Sequence, residues 1–310
     1  MTNKHRRRKM PFLMFLITLF VVFPMGVSAA TLHAILAVDT NDNRIGTSVK
    51  IDLVIMQNLV NKISRYTGLT TAGSAISGNE LNWHSIMEAV EKLSVGSDDV
   101  VLFYYAGHGY NPGNSAWPAM SLKGNNLPLK TVREALKAKK PRLLIVMADT
   151  CNGTGNRGGF NAREAGKAEN YKVLFLKYRG TITASSSEPG EFSYSNAQIG
   201  GFYTNAFFNS LIKELDSNQT PSWEAIMKRA NAPLSHGSQH PQAKVDVELI
   251  REAIVNNTDG CSRRNPQGCV GGVSAAPINT GTCQKRYRRG GKKCCLDWQG
   301  KEHCWSLTLD

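Results

Sequence analysis

Two residues of this 310-residue chain stand where acyl chemistry could be done. His108 follows an unbroken apolar and aromatic run, Val100 to Tyr105, and lies between Gly107 and Gly109. Cys151 follows a second such run, Leu143 to Met147, and lies between Asp149-Thr150 and Asn152-Gly153. A thiol is a poor nucleophile until deprotonated, and a nearby imidazole can take its proton or pair with the thiolate. Glycines beside the histidine let the backbone approach a substrate and leave N–H groups for the oxyanion of a tetrahedral intermediate. The pair therefore implies acyl transfer, most simply peptide hydrolysis. Singly, a cysteine after a buried strand is ordinarily a core residue and a loop histidine ordinarily inert. The shared setting carries the argument.

The elements around them must place the two side chains together. Runs apolar throughout are the mark of strands buried on both faces, as in a parallel sheet. Leu32 to Val38 is another such run, closed by the turn-forming cluster Asp39-Thr40-Asn41-Asp42-Asn43. Between the strands, helical spacing of apolar residues predicts helices over 49–66, 83–93 and 129–138. Later segments predict a strand near 181–184 and helices over 203–215 and 222–230, the last with Pro221 in its first turn and Thr220 as its cap. Strands alternating with helices give right-handed crossovers and a three-layer α/β/α sandwich on a mostly parallel central sheet. Ligand sites in such sheets collect beyond the carboxyl ends of the strands, where His108 and Cys151 would emerge.

The chain divides into three parts. Residues 1–30 carry a basic start (Lys4, Arg6, Arg7, Arg8, Lys9), an apolar run from Phe12 to Phe23 and small residues at Val27-Ser28-Ala29-Ala30, the layout of a secretory signal peptide. The run is shorter than the roughly 20 apolar residues of a spanning helix. The membrane is thus engaged through this segment only, and a secreted or periplasmic protein is expected. Residues 31–257 form the α/β body. Residues 258–310 form a basic tail with Cys261, Cys269, Cys283, Cys294, Cys295 and Cys304. A dense, even set of cysteines in an exported chain reads as three disulfides, in one of about 15 connectivities. The tail would be a small stapled module. With Tyr287, Trp298 and Trp305 among its basic residues it offers a face to a glycan, a cell wall or a partner surface; the alternative is a stability cap.

The formal charge is +13, with the excess in the first nine residues and the tail. In an exported protein a solvated basic tail is a better reading than nucleic-acid binding. No histidine pair has zinc-site spacing beside a carboxylate, no calcium-loop pattern occurs, and no cofactor is called for. Residues 153–172, rich in Gly, Asn and charge, predict a loop whose Arg157, Arg163, Lys167 and Lys172 are candidate self-processing sites.

The segments Tyr104-Tyr105-Ala106-Gly107-His108-Gly109 and Asp149-Thr150-Cys151-Asn152-Gly153 resemble the two signature segments of the caspase–metacaspase peptidases. Arg44-Ile45-Gly46-Thr47 with Asp52-Leu53, Ala184 to Gly190, Gly201-Phe202-Tyr203-Thr204 and Gln239-His240-Pro241-Gln242 are similar to satellites of that family, and the likeness covers roughly residues 32–255. The resemblance implies a cysteine endopeptidase acting on a protein or peptide substrate, with His108 as general base, Cys151 as nucleophile and the N–H groups of Gly109 and Cys151 as oxyanion hole. It requires no third, acidic member. It also implies that Arg44, Asp149 and Ser195 stand at the first substrate pocket. Asp149 occupies the place of an aspartate in metacaspases, which cut after Arg or Lys. A carboxylate there favours a cationic P1 side chain. Arg44 could instead neutralise Asp149, or Asp149 could only cap a loop. The other class of function open to such a chain is a catalytically silent binding protein.

Overall fold

The computed structural model describes residues 29–113, 115–150, 166–234 and 237–250, and the backbone of three strands between 285 and 306. The body begins with β1 (Thr31–Val38), α1 (Gly46–Thr67), β2 (Thr70–Ser77), α2 (Trp83–Lys92) and β3 (Val100–Gly107). Three short strands follow, β4 (Gly109–Tyr110), β5 (Ala119–Ser121) and β6 (Asn126–Pro128), and then α3 (Leu129–Ala138) and β7 (Leu143–Thr150). Beyond residue 165 come α4 (Ala168–Leu176), β8 (Tyr178–Ser185), β9 (Ser195–Asn196), β10 (Gly200–Gly201), α5 (Phe202–Leu215), α6 (Trp223–Ala230) and β11 (Gln242–Leu249).

Six strands make one sheet in the order β11-β8-β7-β3-β1-β2. All pair in parallel except β11, which lies antiparallel on β8. Every residue of β3 and β7 is buried, and alternate side chains serve opposite faces. Leu102, Tyr104, Ile145 and Met147 join the core roofed by α1, α4, α5 and α6; Val101, Phe103, Leu144 and Val146 join the core under α2 and α3. The architecture is the expected α/β/α sandwich.

Several expectations are corrected in detail. β2 (TTAGSAIS) is a sheet-edge strand exposed over its first six residues, so no apolar pattern marks it. The cap of α6 is Ser222, whose side chain accepts from the Ala225 N–H at 3.3 Å, rather than Thr220. The segment predicted as loop to residue 172 gives way to α4 at Ala168. Lys167 donates to the Ser217 carbonyl and Asn218, and Lys172 pairs with Glu169 within that helix. Arg157, Arg163 and Cys151 lie outside the described residues.

The chain clusters into two units, 1–252 and 253–310. In the second, β12 (Lys285–Arg289), β13 (Lys292–Leu296) and β14 (Glu302–Ser306) form an antiparallel sheet in which Cys294 is the register partner of Cys304.

Candidate active site

Four parallel strands, β1, β3, β7 and β8, end on one edge of the sheet, where the site gathers. β3 and β7 run in register to their last pair, Gly107 opposite Thr150. The next residue on one chain is His108 and on the other Cys151, which itself lies outside the described residues. The end of β7 is held from the neighbouring β8 side. Thr150 N–H donates to Ser186 Oγ at 2.9 Å, and Ser186 Oγ donates back to the Thr150 carbonyl at 2.9 Å.

The backbone at His108 is clamped as firmly. Its carbonyl accepts from the Tyr105 hydroxyl at 2.7 Å and from Ser121 N–H at 2.8 Å. The second bond makes Gly109 and Met120 a pair of the kind that exchanges no hydrogen bonds, so the Gly109 N–H is not spent on that ladder. Both flanking glycines are required by crowding. A Cβ on Gly107 would stand 2.5 Å from the Tyr105 hydroxyl, and one on Gly109 would stand 2.2 Å from Thr150 Oγ1.

The imidazole of His108 faces the loop between β1 and α1. Its Nε2 is 3.2 Å from Asp42 Oδ2 and 3.4 Å from Arg44 Nη2. Asp42 Oδ1 is occupied by the N–H groups of Arg44 (2.8 Å) and Ile45 (3.0 Å), the turn that starts α1. Burial pushes the Asp42 carboxyl up, but the two N–H groups and His108 outweigh it and hold the group below the usual carboxylate range.

Behind this edge, two carboxylates meet the N-terminus of α5. Asp149 is buried and accepts from Thr204 N–H (2.9 Å), Thr204 Oγ1 (2.7 Å) and Ser193 Oγ (2.8 Å). Because Thr204 gives its proton to Asp149, the Tyr104 hydroxyl, 2.6 Å from Thr204 Oγ1, is the donor in that contact. Asp52, fully buried on α1, accepts from Gly201 N–H at 2.8 Å through Oδ1, while its Oδ2 is buried without a hydrogen-bond partner. A Cβ on Gly201 would meet Asp149 Oδ2 at 2.1 Å and Asp52 Oδ2 at 3.1 Å, so the two acids flank one glycine. Burial pushes the Asp149 carboxyl up against the pull of its donors. Burial and then the charge of Asp149 push Asp52 well up, with one N–H opposing them. Among the described residues no Lys or Arg forms an ion pair with either acid.

The caspase-domain family profile matches residues 39–248, the body that carries this edge. The chain belongs to the caspase family. It is thus a member of a family of cysteine peptidases. Two solved structures are similar to the caspase-family body. One is a protein of Geobacter sulfurreducens, 14% identical, with 70% of this chain and 92% of that chain covered and a TM-score of 0.46. The other is caspase-1 of Spodoptera frugiperda, 16% identical, with 71% and 90% covered and a TM-score of 0.45. Comparison with curated proteins gives no match.

The remaining residues singled out in the sequence fall around the caspase-family edge. Ser195 pairs with Gly201 across β9 and β10 and accepts from Ser48 Oγ at 2.9 Å. Arg44 meets His108, and no ion pair joins it to Asp149 among the described residues. Gln239, fully buried, donates to the Ser186 carbonyl at 2.7 Å and accepts from Tyr194 N–H at 3.2 Å, tying together the loops that hold Thr150 and Asp149. In the sequence Asp52 is marked only as part of the family-like segment Asp52-Leu53, with no site role implied. Its signal was its place: residues 49, 52, 56, 59 and 63 share the buried face of α1.

Proposed function

We propose that this protein is an exported cysteine endopeptidase that cuts after basic residues. Cys151 attacks the scissile carbonyl once its proton has passed to His108. The acyl-enzyme is then hydrolysed by water activated by the same imidazole. The N–H groups of Gly109 and Cys151 receive the oxyanion. A cationic P1 side chain is met by Asp149 and Asp52. One observation supports this pocket above the others. Two buried carboxylates flank Gly201 without a cation from the described residues, among which Asp52 Oδ2 has no hydrogen-bond partner. Buried polar atoms are ordinarily satisfied, so an orphaned carboxylate oxygen asks for a donor from outside. Capping of α5 explains two of the four carboxylate oxygens and the Ser193 hydroxyl a third, but not this one. Residues 1–30 act as a secretory signal, and the tail is closed by disulfides.

The test is hydrolysis of fluorogenic peptides with Arg, Lys, Asp, Asn or Leu at P1, by purified protein under reductant, beside Cys151→Ala. Cleavage after Arg or Lys that vanishes in the variant is expected. Cleavage after Asp would keep the peptidase and transfer P1 recognition to Arg44. No cleavage of any peptide would favour a catalytically silent binding protein.

A further inference from the structure

We propose that Asp42 is a positioning residue for His108, making the dyad a triad in which a carboxylate side chain fixes the tautomer of the imidazole. The inference rests on the dyad reading above, which by itself requires no third acid. Three observations carry it. Asp42 Oδ2 lies 3.2 Å from His108 Nε2. Oδ1 of the same carboxylate is anchored by two backbone N–H groups, so Oδ2 is held in place rather than swung on a free side chain. The carbonyl of His108 is clamped by Tyr105 and Ser121, which fixes the backbone from which the ring projects.

The chemistry follows from the two ring nitrogens. A carboxylate accepts hydrogen bonds only, so Asp42 selects the ring form with its proton on Nε2 and leaves Nδ1 as the basic nitrogen. The Cys151 thiol proton then passes to Nδ1. The products are a thiolate and an imidazolium whose Nε2–H still faces Asp42. Arg44 Nη2, 3.4 Å from the same Nε2, favours the opposite form, because a guanidinium can only donate. The Asp42 contact is the shorter, 3.2 Å against 3.4 Å, and only the carboxylate favours the imidazolium that the thiol proton creates. Among the described residues Asp39, directly after β1, also interacts electrostatically with the ring and with Asp42.

The substitution Asp42→Asn separates positioning from scaffolding. The amide oxygen can keep the cap on the N–H groups of Arg44 and Ile45. The amide NH2 then faces Nε2 as a donor and selects the wrong tautomer. A purely structural role predicts the larger loss for Asp42→Ala, which removes the cap. The positioning role predicts the larger loss for Asp42→Asn. The measurements are kcat and KM on the best peptide of the panel, melting temperature, and the rate of Cys151 alkylation by iodoacetamide from pH 5 to 9. Asp42→Asn is expected to lower kcat roughly 100-fold with KM within about twofold, a milder version of the wrong-tautomer effect in serine peptidases. Its melting temperature should stay within about 2 °C of wild type, a small surface-type change. Its alkylation at pH 6 should fall about tenfold as the thiolate–imidazolium pair weakens.

Wild-type kcat and an unchanged alkylation profile in Asp42→Asn would overturn the inference while leaving the peptidase intact. A wild type that cleaves no peptide and whose Cys151 alkylates only near the pH of an ordinary thiol would overturn the dyad, and the inference with it.

Discussion

The site holds aspartates in two settings, and the same side chain behaves in opposite ways in them. Asp42 sits at the rim of the sheet edge, partly open to water, with two N–H donors and an imidazole around it, and its carboxyl is held down. Asp52 and Asp149 sit a layer deeper, against α5, and burial pushes both carboxyls up. The rim acid is charged at neutral pH. The deep pair is charged at a cost, which a cationic guest would relieve. In the proposed mechanism, environment separates one acid that positions the imidazole from two that recognise the P1 side chain.

The largest test of this contrast is Asp149→Asn. Removing one partner of a buried charge pair typically costs 2–5 kcal/mol, so kcat/KM on a P1-Arg peptide should fall by two to three orders of magnitude. A P1-Leu peptide should be little affected, and equal losses on both would deny Asp149 a role in P1 selection.

Asp52→Asn should move activity and stability in opposite directions. An amide there keeps the acceptor for Gly201 N–H and removes the less favoured buried charge. Hydrolysis after Arg should fall about tenfold, while the melting temperature at pH 7 rises by about 3 °C, equivalent to roughly 1 kcal/mol for a body of this size. A lower melting temperature would mean that the carboxylate is structural.

The pH dependence of these stabilities should have opposite signs. The folded-state pKa of Asp52 is raised, so its contribution is intact below the unfolded value near 4 and declines as pH rises. The gain from Asp52→Asn should therefore be present at pH 7 and absent at pH 4. The folded-state pKa of Asp42 is lowered, so its small contribution is present at neutral pH and is lost as pH falls through that value. Thermal scans of both variants between pH 4 and 8 would show converging curves at low pH; parallel curves would erase the distinction.

What could be read in the sequence follows the same depth. β3 and β7 were legible because burial on both faces writes an unbroken apolar run, and His108 was legible as the residue that follows one of them. Asp149 was legible through its motif. Asp52 was legible only as part of a family-like segment; an aspartate within a helix normally faces water, and its burial shows only in the phase of its neighbours. Asp42 was legible as a turn former, which it is. That its second oxygen meets His108 depends on β1 and β3 being neighbours, a fact of tertiary register. β2 left no trace because an exposed edge strand of Thr, Ala, Gly and Ser has no buried face to pattern. The α6 cap was shifted because Thr220, Pro221 and Ser222 offer competing signals, and local geometry chose Ser222.

One feature bears on how the molecule could be taken apart. β7 and β8 are hydrogen-bonded along Leu143–Ala148 and Gly180–Ser185, and Arg142, at the foot of β7, reaches the carbonyls of Tyr178 and Phe175 at 2.6 Å each. These bonds join stretches of chain on either side of residues 151–165. Two separately made polypeptides, divided within that stretch, would still share one continuous sheet. They should find each other in solution and run as one particle on a sizing column, though as two bands on a denaturing gel.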